Sequence, residues 1–202
     1  WKAKTPLGFS SFSVAGGLAY TLIGREDEDG LQREICLALE VNTGREKWSV
    51  WLDRLDYGNV GGNAGASNNN GGDGPRSTPS ISDGRVYVYD ADMNLYCLDA
   101  KTGKQAWKVS VQKRHKGQPI KWENASAPLI EGNKVIVYGG GAGQTFLALD
   151  KANGNVVWQS GSETITHATP IAGTIHGVRQ VIFFCVSGLV SVDASTGKEL
   201  WR

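Results

Sequence analysis

Short apolar runs recur along the chain, many alternating with polar residues, and Gly, Pro, Asp or Asn punctuates them. Residues 78–89 (Thr-Pro-Ser-Ile-Ser-Asp-Gly-Arg-Val-Tyr-Val-Tyr) read as strand, tight turn, strand. Residues 127–138 repeat the form. Residues 169–185 do so with a longer turn, and residues 11–21 are a divergent first member. Pro79, Pro128 and Pro170 each stand at a predicted strand start, where a missing N–H donor is tolerated. Downstream of each pair comes an eleven-residue segment: Ala38-Leu-Glu-Val-Asn-Thr-Gly-Arg-Glu-Lys-Trp48, then 97–107, 148–158 and 191–201. Each reads small, apolar, acidic, two variable, Thr or Asn, Gly, three variable, Trp. The pattern predicts units of four strands, A to D, joined by hairpins, and no long helix.

The spacing has physical reasons. Glu40, Asp99, Asp150 and Asp193 end a strand, where a carboxylate can accept from the amides of the turn. Gly44, Gly103, Gly154 and Gly197 supply the positive φ of a tight hairpin. Trp48, Trp107, Trp158 and Trp201 begin the returning strand, and one large ring per unit can join neighbouring sheets. The Trp-to-Trp intervals of 59, 51 and 43 residues bracket the length of a propeller blade.

The eleven-residue motif resembles the tryptophan-docking motif of the quinoprotein alcohol dehydrogenase-like, or PQQ-like, β-propellers (PQQ, pyrroloquinoline quinone), and the resemblance covers essentially the whole chain. It implies an all-β fold with four four-stranded antiparallel blades, spanning approximately 2–51, 77–111, 126–160 and 168–202, with loop insertions at 52–76 and 112–125. It further implies a ring of seven or eight blades, so this chain would form about half of one and meet the remaining blades at its ends. Trp1 resembles the last Trp of a preceding blade. In this family each Trp packs between the small residue of its own blade (here Ala38, Cys97, Ala148 and Ser191) and the Gly turn of the next. Glu40 stands where Asp is usual, and Asn153 where Thr is usual. The family holds both PQQ-dependent dehydrogenases and non-enzymatic scaffolds, such as an outer-membrane assembly lipoprotein. It implies an extracytoplasmic location, in the bacterial periplasm or cell envelope.

Composition acts mainly by exclusion. The 202 residues carry 21 Lys and Arg against 20 Asp and Glu, a balance that gives no reason to expect a nucleic-acid partner. The longest apolar runs are too short to be transmembrane helices. Cys36, Cys97 and Cys185 lie apart in apolar runs and read as buried thiols, with neither zinc-site nor disulfide spacing. Residues 139–145 are glycine-rich but lack a phosphate-binding Lys and lead into a strand.

Candidate chemistry falls on the connections. Strands alternate in direction, so D–A and B–C loops share one face, and these are the variable ones, as expected of a binding face on a rigid scaffold. The longest, 57–76, includes the Gly/Asn-rich stretch 61–74, expected to be a mobile loop. Asn68, Asn69, Asn70 and Asp73 offer oxygen ligands for Ca²⁺ only as the weaker alternative, and no metal site is expected. The basic run 113–116 reads as a solvated loop. Trp122, outside the docking register, is either a partner anchor or local packing. Arg76 and His167 align with each other three residues before a strand-A Pro, and Glu123 and Asn124 lie beside Trp122. The five residues Arg76, Trp122, Glu123, Asn124 and His167 are expected near the channel mouth, binding a protein or small ligand. His167 could serve in acid–base chemistry or as a plain hydrogen-bonding group. No catalytic residue and no cofactor is expected. The alternative is a PQQ-dependent alcohol or sugar dehydrogenase with Ca²⁺ as Lewis acid, but the vicinal cysteines typical of those enzymes do not occur in this sequence.

Overall fold

The computed structural model describes residues 1–6, 8–54, 74–120 and 122–202. The Gly/Asn-rich stretch, with Asn68, Asn69, Asn70 and Asp73, lies outside the described residues up to Gly74.

The described chain forms four four-stranded antiparallel sheets, each from consecutive strands in sequential order. The first holds β1 (Ser13–Ala15), β2 (Leu18–Glu26), β3 (Gln32–Glu40) and β4 (Glu46–Arg54). The second holds β5 (Ser80–Ser82), β6 (Arg85–Tyr89), β7 (Asn94–Asp99) and β8 (Gln105–Ser110). The third holds β9 (Leu129–Glu131), β10 (Lys134–Tyr138), β11 (Phe146–Asp150) and β12 (Val156–Ser160). The fourth holds β13 (Ile171–Ile175), β14 (Val178–Cys185), β15 (Gly188–Asp193) and β16 (Glu199–Trp201). The architecture is all-β and propeller-like, with one short helix among the described residues, α1 (Val111–His115).

The A strands β1, β5, β9 and β13 neighbour one another in chain order along the inner edge. Polar side chains tie them in a repeating way. Ser11 N donates to Thr78 Oγ1 at 3.1 Å, and Ala127 N, at the equivalent place two blades on, donates to Thr169 Oγ1 at 3.0 Å. Ser13 Oγ donates to Pro79 O, and Ser80 Oγ to Pro128 O. Each strand-A proline leaves its carbonyl free to accept while lacking a donor of its own.

Between blades the core is sheet on sheet, with the D-strand tryptophans at the outer side. Trp48 Nε1 donates to Ala100 O at 3.0 Å, Trp107 Nε1 to Lys151 O at 3.0 Å, and Trp158 Nε1 to Ala194 O at 3.1 Å. Each acceptor lies in the C–D turn of the next blade, three residues before its Gly. Within its own sheet each ring sits opposite Ala38, Cys97 or Ala148. Gly197 shows why the turn takes no side chain. Its φ is 72°, and a Cβ there would lie 2.4 Å from Trp158 Cε3. Trp1 lies in the same way on the Gly44 turn, with Nε1 donating to Val41 O at 2.7 Å. Glu40 keeps the turn despite its extra methylene. Gly44 N still donates to Glu40 O at 2.8 Å, while the carboxylate takes the Thr43 hydroxyl and the Arg45 guanidinium.

Two connections differ from the sequence expectation. The first B–C connection, for which the sequence pattern between the strand-like runs suggests a loop over 24–30, is shorter: Gly24, Arg25 and Glu26 extend β2 by pairing with Glu34, Arg33 and Gln32, leaving a loop of 27–31. Asp27 closes it by accepting from the Leu31 and Asp29 amides and from Arg33 Nε. The start of the second insertion, expected as loop, is the helix α1. Ser110 caps it by accepting from Lys113 N, and Lys116 ends it with a φ of 54°.

The far face of the fourth blade is bare. Phe184 and Leu189 are 53% and 50% exposed, whereas the residues in the same register of the third blade, Tyr138 and Phe146, are each 1% exposed beneath blade four. Trp201 Nε1 donates within its own sheet, to Gln180 Oε1 at 2.8 Å.

Candidate functional site

D–A and B–C connections meet on one face. Asn124 N donates to Ala91 O, Gly141 N to His115 O and Val186 N to Thr164 O, each pairing a residue before a strand A with one between strands B and C. The candidate site is built on the first two of these joins.

Upstream, α1 is held against both neighbouring loops. Val111 N donates to Met93 O, and Gln112 Nε2 donates to Asp92 O and Oδ1. Beyond Lys116 the chain turns back, with Gly117 N donating to Val111 O and Gln118 N to Gly139 O. It then enters a sharp kink. Trp122 and Glu123 have φ of 68° and 62°, two consecutive L residues in the left-handed region that disfavours a Cβ. Such strain persists only where surroundings fix it. Asn124 is the fixing residue. Its Nδ2 hydrogens are shared among Tyr89 O, Asp90 O and Ser126 O at 3.1–3.2 Å, and Oδ1 accepts from Ser126 N at 3.0 Å.

The anchorage reaches back to the first blade. Glu34 Oε2 accepts from Ala91 N at 3.0 Å, and Ala91 O accepts from Asn124 N at 3.1 Å, so one B–C turn links blades one and three. Asp90 lies in the same buried place and accepts from Asn94 N and Nδ2. Burial, with the charge of Glu34, pushes the Asp90 carboxyl well above its usual range, against the opposing pull of the Asn94 bonds.

Among the five expected site residues, Trp122 and His167 come together, their rings 6.3 Å apart and tilted. Trp122 is 43% exposed. Glu123 and Asn124 are buried, and Asn124 is committed to backbone, so its amide supports the kink and does not face a partner. Arg76 turns toward blade one: its guanidinium lies 5.1 Å from the Phe9 ring centroid, and Nη1 donates to Gly74 O. Asn124-Ala-Ser126 has the three-residue form of an N-glycosylation acceptor, and its amide is this same buried one. Along the A strands runs a groove of about 490 Å³, lined by Val14, Ile81, Pro128, Leu129 and neighbouring small residues, with no ionisable side chain among its described lining.

Reasoning from sequence missed Glu34, Asp90, His115 and Gln144. Glu34 had a legible signal, because it is in phase with Cys36 and Ala38 on the face of β3 turned toward the next blade.

The family model described as outer membrane protein assembly factor BamB matches residues 32–202. The chain belongs to this family of PQQ-like β-propellers. It is 31% identical over 63% of its length to a quinoprotein ethanol dehydrogenase of Pseudomonas aeruginosa, of which it spans only 22%. Among solved structures, BamB from Moraxella catarrhalis aligns over 95% of this chain and 47% of its own, with a TM-score of 0.60 and 19% identity. Quinohemoprotein alcohol dehydrogenase from Comamonas testosteroni aligns over 98% and 35%, with a TM-score of 0.66 and 18% identity. At these identities the structural likeness is one of PQQ-like propeller fold, shared by both.

Proposed function

We propose that this PQQ-like propeller segment is a non-catalytic scaffold of the bacterial cell envelope, presenting its D–A/B–C face to a protein or ligand partner. The observation that carries the reading is the Trp122–Glu123 kink: a half-exposed aromatic ring held in a strained pose by a buried amide, beside His167. Pre-ordered aromatic side chains of this kind make effective binding anchors, because little entropy remains to be lost. The name of the matched family, an outer membrane assembly factor, supports both the envelope location and a protein partner. No described helix is long and apolar enough to cross a membrane. The bare face of blade four would take a further blade of the same repeat. Truncating Trp122 to Ala is expected to weaken partner binding by about 2 kcal/mol or more, roughly 30-fold, as measured on the full-length protein.

The second reading is a PQQ-dependent dehydrogenase, favoured by the identity to the quinoprotein ethanol dehydrogenase. We favour the scaffold over it on what the described residues offer in this segment, which spans only 22% of that enzyme. Asn124 has its amide committed to backbone, the three cysteines are single and buried, and no group of three or more described acidic, Cys or His side chains is placed to hold a metal. The test is dye reduction by the full-length protein supplied with PQQ, Ca²⁺ and a panel of alcohols and sugars. The scaffold reading expects no substrate-dependent rate; a saturable one overturns it.

A further inference from the structure

His115 is a buried side chain that none of the roles above uses. It ends α1, is only 3% exposed, and lies where the second blade's D–A insertion meets the third blade's B–C loop. Three bonds make that junction. Gly141 N donates to His115 O at 2.8 Å, Gln118 N donates to Gly139 O at 3.2 Å, and His115 Nδ1 lies 3.2 Å from Gln144 Oε1. The amide oxygen can only accept, so Nδ1 carries the proton and Nε2 is the unprotonated nitrogen of a neutral ring. Nε2 has no hydrogen-bond partner among the described residues.

We infer that His115 is an acid-released latch, which in its neutral form fastens the Trp122-bearing insertion to blade three and lets it go on protonation. The inference rests on the reading of Trp122 as the presented anchor, because it assigns a control to that same site. A proton on Nε2 would place an N–H and a full charge in a buried position with no acceptor facing it. Among the described residues no hydrogen-bond acceptor meets Nε2. Lys113, Arg114 and Lys116 on the same segment are all cationic. The facing loop 139–145 contains no ionisable residue. Asp92, on the B–C turn of blade two, is engaged by Gln112, and Glu163, beyond the loop, is paired with Arg202 at 3.0 Å. Burial, opposed by the Gln144 bond, together with the charge of Arg114, holds the imidazole below its ordinary value. A His lowered on folding stabilises the closed form above its ordinary pKa. That stability drains away as pH falls from there toward the lowered value. Opening would free residues 116–120, on the approach to the kink, while Asn124 keeps the far end anchored.

The test is amide hydrogen exchange across residues 111–124 of the intact chain at about pH 7 and about pH 5, corrected for the intrinsic pH dependence of exchange. The expected result is an open population of this segment several-fold higher at the lower pH, with a ceiling of about 30-fold set by the gap between an ordinary imidazole value of about 6.5 and pH 5. In His115→Asn, which keeps a donor toward Gln144 but cannot titrate, the pH response is expected to vanish. An unchanged response in that variant, or none in the wild-type chain, overturns the latch. Should the variant not fold, an NMR titration of the three histidines of the wild-type chain decides. His115 titrating below the ordinary imidazole value of about 6.5 supports the proposal; titration at or above it overturns it. Neither readout needs a partner. A failed binding effect of Trp122→Ala would therefore sink the anchor and leave the latch to be judged on its own result.

Discussion

Replacing Trp158 with alanine is expected to destabilise the fold by about 3–5 kcal/mol, the range for removing a large buried aromatic. The ring is 6% exposed and fills the space between Ala148 of its own sheet and the Gly197 turn of blade four. Gly197 cannot move into the cavity left behind, because its turn is fixed by bonds from its own N to Asp193 O and from the Ser195 and Thr196 amides to the Asp193 carboxylate. The Ala194 carbonyl also loses its donor. Trp107 is only half-buried in the equivalent position, so its alanine variant should cost less, and Trp201, lying on the bare face, less again. Denaturant melts of the three variants check the order. Equal losses, or none for Trp158→Ala, would contradict the role assigned to these rings.

Changing Asn124 to Asp is expected to cost a comparable amount, about 3–5 kcal/mol, although the two side chains have nearly the same shape. The substitution replaces an NH₂ group facing three carbonyls with a carboxylate oxygen. Tyr89 O, Asp90 O and Ser126 O lose a donor and meet negative charge in a buried site that already holds Asp90 and Glu34. The kink at Trp122 and Glu123 loses what holds its strain. The loss should shrink as the pH falls and the new carboxyl takes up a proton. Chemical denaturation at two pH values measures both effects. A variant as stable as wild type at neutral pH would show that Asn124 does not support the kink.

The repeat was legible because its determinants are local. An acidic residue, a Gly at positive φ and a Trp at fixed spacing specify a C–D hairpin wherever they occur, and four copies specify four sheets. The site was only half legible. Trp122 stood out because nothing in the repeat required a ring there, but sequence left it either a partner anchor or local packing; the structure leaves the ring half-exposed beside His167. Asn124 read as a ligand-facing polar group, since sequence does not distinguish an amide aimed at a partner from one folded back onto two carbonyls about 35 residues earlier, Tyr89 O and Asp90 O, and onto the nearby Ser126 O. Arg76 aligned with His167 in sequence, yet the chain before β5 lies against Phe9, and the stacking of the guanidinium followed that packing. The helix α1 was missed for a different reason. Five residues are too few to show a helical period, and it is held by Ser110 and by loops of two blades more than by its own propensity.

The proposed scaffold presents a partner-binding face and would hold no redox cofactor. The most direct measurement is a calorimetric titration of the full-length protein with PQQ in the presence of Ca²⁺. The account predicts no saturable heat beyond dilution. One-to-one saturable binding of PQQ would contradict it and transfer the assignment to the dehydrogenases.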